Sequence, residues 1–331
     1  MKKVIDQVES VVDQALDGMV TAFPGYLRRV TGTNVLARAK PKESGKVGII
    51  SGGGSGHEPA HGGYVGYGML DAAVAGEVFT SPTPDQVYEG IKAADHGAGV
   101  VLVVKNYTGD VMNFDIAREM ADADGIETDT ILVNDDVAVE DSLYTSGRRG
   151  IAGTVFVHKI AGASAESGAS LAQVKAIGDR VVANVRSMGF ALTSCTVPAN
   201  GQPTFELGEN EMEMGIGIHG EPGIQRLPIM SAKEVTKALF DHISTDLKLS
   251  RGDKVAAMVN SMGATPAIEL AIMAGHLGDL LGASNLELSK VFMGEFMTSL
   301  EMAGASLSIL RLDDELARLL EAQCNTPALR Q

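Results

Sequence analysis

Only two cysteines, Cys195 and Cys324, occur in 331 residues. They are too few and too far apart for a disulfide framework or a zinc pattern, which points to reduced thiols in a cytoplasmic protein. Basic residues are also scarce: 27 Lys and Arg stand against 42 Asp and Glu, giving a net charge of −15. No basic run offsets this, so nucleic acid and anionic membrane surfaces are not expected as partners. No apolar run approaches the roughly 20 residues needed to cross a bilayer. Met1-Lys2-Lys3 opens an amphipathic stretch rather than an apolar one, so no signal peptide is expected. The phosphate-loop pattern G-x-x-x-x-G-K-[ST], internal repeats and low-complexity tracts are all missing. What remains is a hydrophobic share of 45%, enough for sizeable cores, in a length that suits about two domains.

Apolar spacing supplies the outline. Val4, Val8, Val11, Val12, Leu16 and Val20 recur at helical spacing and predict an amphipathic helix over residues 4–20. Residues 46–50 predict a short strand running into Ser51-Gly52-Gly53-Gly54-Ser55-Gly56-His57. Residues 100–104 predict a second, ending in Lys105-Asn106-Tyr107-Thr108-Gly109-Asp110, and residues 130–133 a third, ending in Asn134-Asp135-Asp136. Each strand stops at a polar loop before helical sequence resumes, which argues for a parallel sheet in an α/β fold. Ligands of such sheets bind beyond the carboxyl ends of the strands, where these loops gather. Ser170 caps a helix predicted over 170–188, with Leu171, Val174, Ile177, Val181, Val185 and Met188 on one face. The irregular stretch with Pro198, Gly201 and Pro203 follows. The division is therefore set at an N-terminal α/β domain, 1–188, and a C-terminal α/β domain, 189–331. In the second half Ser231 and Glu234 have capping-box spacing ahead of Val235, Leu239, Ile243 and Leu247. Residues 254–259 and 305–312 predict strands, and Thr265 and Pro266 suit an N-cap and a first helical position.

Several motifs carry competing readings. His57-Glu58-Pro59-Ala60-His61 matches the H-E-x-x-H zinc pattern, which needs both histidines on one helical face. Pro59 and the preceding glycines oppose that helix, and no metal is assigned. Gly215-Ile216-Gly217-Ile218-His219-Gly220 matches G-x-G-x-x-G, but Glu221-Pro222-Gly223 follows with turn chemistry instead of a helix. The loop 52–56 permits close backbone approach to a small polar ligand, since glycine lacks a Cβ. His61, His96, His158, His242 and His276 read as surface or satisfied-core residues. His57 and His219 differ, because each lies in a glycine-rich segment shaped for access. Asp110 joins them as a candidate acid or base at a strand end.

Taken together, the segments Ser51 to Pro59, Gly76-Glu77-Val78-Phe79-Thr80-Ser81-Pro82, Lys105 to Asp110, Gly147-Arg148-Arg149-Gly150-Ile151-Ala152-Gly153-Thr154 and Gly215 to Gly223 resemble, in order, those of the dihydroxyacetone kinase substrate domain. The matches extend from about residue 46 to 305. The resemblance implies two α/β domains with the substrate between them, usually as a homodimer. It implies that His219 adds to the carbonyl of dihydroxyacetone to form a hemiaminal. An imidazole with an ordinary pKa of about 6.5 is a competent nucleophile near neutrality. Polyols such as glycerol cannot form that adduct. The resemblance makes His57 and Asp110 the acid–base and hydrogen-bonding pair at the substrate hydroxyl, and Gly54, Ser55, Gly56, Lys105 and Ser81 substrate contacts. Asn260-Ser261-Met262-Gly263 departs slightly from the usual Asn-Gly-Leu-Gly, without touching a mapped residue. Single-chain members add a nucleotide-binding domain, which is not read in this sequence. A separate subunit is therefore implied, carrying ADP or ATP with magnesium and recharged by a phosphotransferase-system donor. A ketone-binding sensor or transcriptional co-activator is the alternative.

Overall fold

The computed structural model of the chain describes residues 2–42, 44–139, 146–221 and 223–331. In chain order the elements are α1 (Val11–Ala22), β1 (Leu27–Arg29), β2 (Val35–Arg38), β3 (Gly48–Ser55), β4 (Ala72–Val78), α2 (Pro84–Ala94), β5 (Val100–Lys105), α3 (Thr108–Ala123), β6 (Thr128–Val133), α4 (Thr154–Glu166), α5 (Leu171–Asn184), β7 (Val185–Ala191), β8 (Glu211–Met214), β9 (Gln225–Pro228), α6 (Ala232–Leu247), β10 (Lys254–Ser261), α7 (Ala267–Ala283), β11 (Glu287–Gly294), β12 (Gly304–Leu312) and α8 (Asp314–Glu321).

The described residues form two six-stranded sheets, ordered β1-β2-β4-β3-β5-β6 and β11-β10-β12-β7-β8-β9. The first is parallel through β4, β3, β5 and β6, with antiparallel β1 and β2 closing one edge. The apolar runs of β3 and β5 are buried on both faces, as a covered parallel sheet requires. Ile49, Val101 and Val103 point into one core, while Ile50, Val100, Leu102 and Val104 point into another, beneath α2 and α3. The second sheet is mostly antiparallel, and its one parallel pair, β10–β11, is joined by α7. Helices α6 and α7 cover its outer face through Leu239, Ile243, Met273 and Leu277.

Between the sheets lies α4. Its residues from Thr154 to Ala165 are all buried, because it is apolar nearly all round. One continuous core joins Ile49 and Val101 of the first sheet, Phe156 and Ile160 of α4, and Met258 and Leu310 of the second. The two α/β halves therefore share a layer. This holds the loops of both at a fixed distance from one another.

Local predictions met mixed outcomes. The capping box expected at Ser231–Glu234 is formed, and Ser170 caps α5 as expected, doing so in a capping box with Gln173. The first helix begins only at Val11, after a short 3-10 turn, and Val4 is fully exposed. The helix predicted to Met188 ends at Asn184, and Val185–Ala191 is a strand of the second sheet. A short apolar run buried on both faces does not distinguish strand from helix by period. The division at 188/189 thus passes through β7, and by sheet membership the second half starts at Val185. Thr265 is not the cap: its hydroxyl bonds Gly304, and Pro266 occupies the N-cap of α7.

Candidate active site

Four connections converge at one end of the first sheet. Strand β3 carries its glycines as strand residues up to Ser55, so His57 is delivered just past the sheet edge. Lys105 is the last residue of β5, and Asp110 sits in the first turn of α3. The turn after β4 supplies Phe79 and Ser81. From the second half, the β8–β9 connection brings His219 across. A cavity of about 1010 Å³ lies between them, lined by Gly54, Phe79, Ser81, Lys105, Tyr107, Asp110, His219 and Glu221, with residues 200 and 202–205 on the far wall.

His219 is positioned by contacts on several sides. Its ring lies edge-on to those of His57, Phe79 and Tyr107, with centroids 4.8, 5.0 and 4.9 Å away. Nδ1 is 2.8 Å from Glu221 Oε1, and the backbone N–H of His219 donates to Oε2 of the same carboxylate. An Nδ1–H pointing at a carboxylate leaves the lone pair on Nε2. Nε2 makes no hydrogen bond among the described residues, and His219 faces the cavity. Burial works to raise the Glu221 carboxyl, but His219 and the Arg149 guanidinium hold it down to about 2. Arg149 is itself fully buried and paired with Asp136 at 2.7 Å. Burial pushes the Asp136 carboxyl up to about 6 against that guanidinium.

His57 is completely buried and stacks on Phe79 at 5.1 Å. Its Nδ1 is 2.8 Å from the Thr298 carbonyl, while Nε2 has no partner among the described residues. Burial, and then the neighbouring His219 and Lys105, push its pKa well below the ordinary histidine value. It is a neutral base under the floor of the cavity. Asp110 accepts a hydrogen bond from the Ser81 hydroxyl on Oδ1 and lies 3.7 Å from Lys105 Nζ through Oδ2. Lys105 is 1% exposed and donates to the Gly52 carbonyl at 2.6 Å. Burial lowers its pKa, with Asp110 opposing. Gly53 permits this packing, since a Cβ there would sit 2.5 Å from Lys105 Nζ.

The cavity thus gathers His219, Asp110, Lys105, Ser81 and Gly54, with His57 directly behind. Ser55 and Gly56 do not line it. The Ser55 hydroxyl turns away to the Gly76 carbonyl, and Ser55 lines a separate pocket of about 100 Å³. Gly56 has φ +102 and serves the turn, because a Cβ would meet the Phe79 ring at 2.8 Å. The zinc geometry is not formed. His57 and His61 lie in a turn rather than on one helix face, and Lys105 Nζ stands 2.9 Å from His61 Nε2, where a metal would have to be. The G-x-G-x-x-G run joins two antiparallel strands, not a strand to a helix. Pro222 of that segment lies outside the described residues.

Glu221 and Thr298 were not singled out from the sequence. The i+2 spacing of a carboxylate after a loop histidine was the available signal for Glu221. Thr298 is distant in the chain and had none. Phe79 and Tyr107 lay inside recognised segments, but nothing in a segment says that a ring will stack on a histidine.

This is an α/β protein whose two halves line a shared cavity that holds an imidazole oriented by a carboxylate. The chain belongs to the Dak1 domain family, whose model matches residues 17–328. It is 58% identical over 315 residues to the PTS-dependent dihydroxyacetone kinase 1, dihydroxyacetone-binding subunit DhaK, of Listeria innocua, covering 95% of each chain. It is 43% identical to the PEP-dependent dihydroxyacetone kinase subunit DhaK of Escherichia coli, covering 99% of each. Among solved structures it matches the dihydroxyacetone kinase of C. freundii with a TM-score of 0.89 at 35% identity, covering 98% of this chain and 60% of that one. It also matches the dihydroxyacetone kinase operon co-activator Dha-DhaQ with a TM-score of 0.90 at 31% identity, covering 95% of this chain and 97% of that one. The family resemblance and the fold class of two α/β domains expected from the sequence are both borne out. No helix among the described residues is long and apolar enough to cross a membrane.

Proposed function

We propose that this chain is the dihydroxyacetone-binding subunit of a phosphotransferase-system-dependent dihydroxyacetone kinase. His219 holds the ketone as a hemiaminal. The observation that carries the reading is the Glu221-oriented imidazole of His219 facing the same cavity as Asp110 and Lys105.

In the proposed chemistry Nε2 attacks the ketone carbon. An N–C bond forms, the C=O π pair moves to oxygen, and the ring becomes cationic beside the Glu221 carboxylate. The new alkoxide takes up a proton and the ring loses one from Nδ1, so the proton count is unchanged. Glycerol, with no carbonyl, is refused by chemistry rather than by contact area, which is small for such ligands. Asp110, steadied by Ser81, accepts the proton of the terminal hydroxyl as phosphate arrives, with His57 as the second base at the site. Gly54 and Lys105 contact the substrate, while Ser55 and Gly56, which do not line the cavity, shape the turn that carries Gly54 and His57 to it.

Phosphate comes from a separate subunit that carries the nucleotide and magnesium, recharged by a phosphotransferase-system donor, and the chain works as a homodimer in the cytoplasm. The co-activator reading rests on the likeness to Dha-DhaQ, but the identity to kinase subunits is much higher, 58% against 31%. Reconstitution with a nucleotide-carrying subunit separates the two. The kinase reading expects dihydroxyacetone phosphate from the parent protein. It expects Asp110→Ala to bind the ketone while turnover falls at least ~100-fold, the scale of general-base loss. Full turnover in Asp110→Ala would remove Asp110 from the mechanism, and no product from the parent would favour the co-activator.

A further inference from the structure

Behind Lys105 lies a chain of buried groups that the proposed chemistry does not use. Lys105 Nζ is 2.9 Å from His61 Nε2, and His61 Nδ1 is 3.0 Å from His158 Nε2. His61 and His158 are 7% and 0% exposed, and their rings meet edge-on at 5.2 Å. His158 Nδ1 has no partner among the described residues. His61 does not line the cavity, whereas Lys105 does.

An ammonium has three donors and no acceptor, so His61 Nε2 facing Lys105 must present a lone pair. A neutral His61 then carries its proton on Nδ1 and donates it to His158 Nε2. His158 in turn must carry its proton on Nδ1. The tautomers of both rings follow from the single charge at Lys105. Of the three Lys105 donors, one goes to the Gly52 carbonyl and one to His61. The third is left for Asp110, 3.7 Å away, and for whatever stands between them in the cavity.

We propose that His61, backed by His158, is a positioning residue that acts through Lys105: it fixes the ammonium so that its remaining N–H is aimed at Asp110 and the hydroxyl of the bound ligand. This rests on the ligand reading given above. The charged and titratable groups around Lys105 are Asp110 from α3, His61 and His57 from the turn after β3, and His158 from α4 behind His61. Burial already lowers the Lys105 pKa. Removing an acceptor from its charged form lowers it further.

The test is the dihydroxyacetone Kd from pH 6 to 10, followed by ¹³C NMR with ligand labelled at the ketone carbon. The parent is compared with His61→Gln, whose amide oxygen can replace the Nε2 lone pair, and His61→Met, which offers none. His61→Met is expected to bind about tenfold more weakly near neutrality, the scale of one hydrogen bond to a charged group. Its alkaline loss of binding should begin at lower pH than in the parent, and His61→Gln should restore both properties. Parent-like binding and pH dependence in His61→Met overturns the proposal. So does a His61→Gln variant as weak as His61→Met with an unmoved alkaline limb, which would make His61 a packing residue. Long-range ¹H–¹⁵N spectra of the unliganded parent need no variant to fold: Nδ1–H tautomers at both His61 and His158 support the proposal, and an Nε2–H at His61 overturns it. A parent that fails to bind dihydroxyacetone counts against the ligand reading, while the tautomer result still decides the role of His61.

Discussion

Replacing Glu221 by glutamine tests the electrostatics beneath His219 with almost no change of shape. The carboxyl is held at about 2 rather than 4.5 in a site where it is 8% exposed. At ~1.4 kcal/mol for each tenfold shift, the fold favours the ionised form by about 3 kcal/mol. The folded pKa lies below the unfolded one, so this stability is fully present above pH ~4.5 and drains as pH falls toward 2. Glu221→Gln keeps an oxygen for Nδ1–H but loses the charge facing His219 and Arg149. Urea unfolding at pH 7 should place the variant about 3 kcal/mol below the parent, and the gap should narrow as pH drops through 4. Adduct formation should slow in parallel, because the cationic ring formed as Nε2 attacks would have no anion beside it. A variant as stable as the parent, or a gap indifferent to pH, would refute the argument.

Two further outcomes follow from the same geometry. Gly56→Ala places a Cβ 2.8 Å from the Phe79 ring at φ +102, so unfolding should show a loss of about 1–3 kcal/mol together with weaker ligand binding. His57, His61 and His158 are buried with pKa values pushed down by burial, the last to about 3. Their folded pKa values lie below the unfolded ~6.5, so stability should be full above that pH and fall below it. The three histidines take up three protons on unfolding while Asp136, raised to about 6, releases about one, so the net slope is roughly 3 kcal/mol per pH unit near pH 5, and a flat stability profile from pH 7 to 5 would contradict it.

The site was more legible in the sequence than the topology. Glycines and polar residues at the ends of apolar runs marked the loops that meet at the cavity, because covered parallel strands are apolar along their length and change character where they stop. His57, Lys105, Asp110 and Ser81 were found in that way or through the family resemblance, and all of them meet at the cavity or its floor. The direction of the Ser55 hydroxyl was not legible, because strand β3 continues through its glycines and side chains alternate faces along a strand. The mostly antiparallel second sheet was not legible: pairing partners such as β12 and β7 are distant in sequence, and local spacing carries no record of them. The same holds for Glu213 on Gly223, Thr298 on His57 and the Lys105–His61–His158 chain. His61 and His158 read as ordinary core histidines until the fold set one against a lysine.

The central claim is the bond between His219 and the ketone. Adding dihydroxyacetone labelled at its ketone carbon to the parent protein and to His219→Ala, and recording ¹³C spectra with intact mass under native conditions, tests it most directly. The account predicts that the parent moves the labelled carbon from the carbonyl region to that of a saturated carbon and gains the mass of one ligand per chain, while His219→Ala does neither. A parent that binds the ketone with its carbonyl resonance unchanged, or a variant that still forms the adduct, would contradict it.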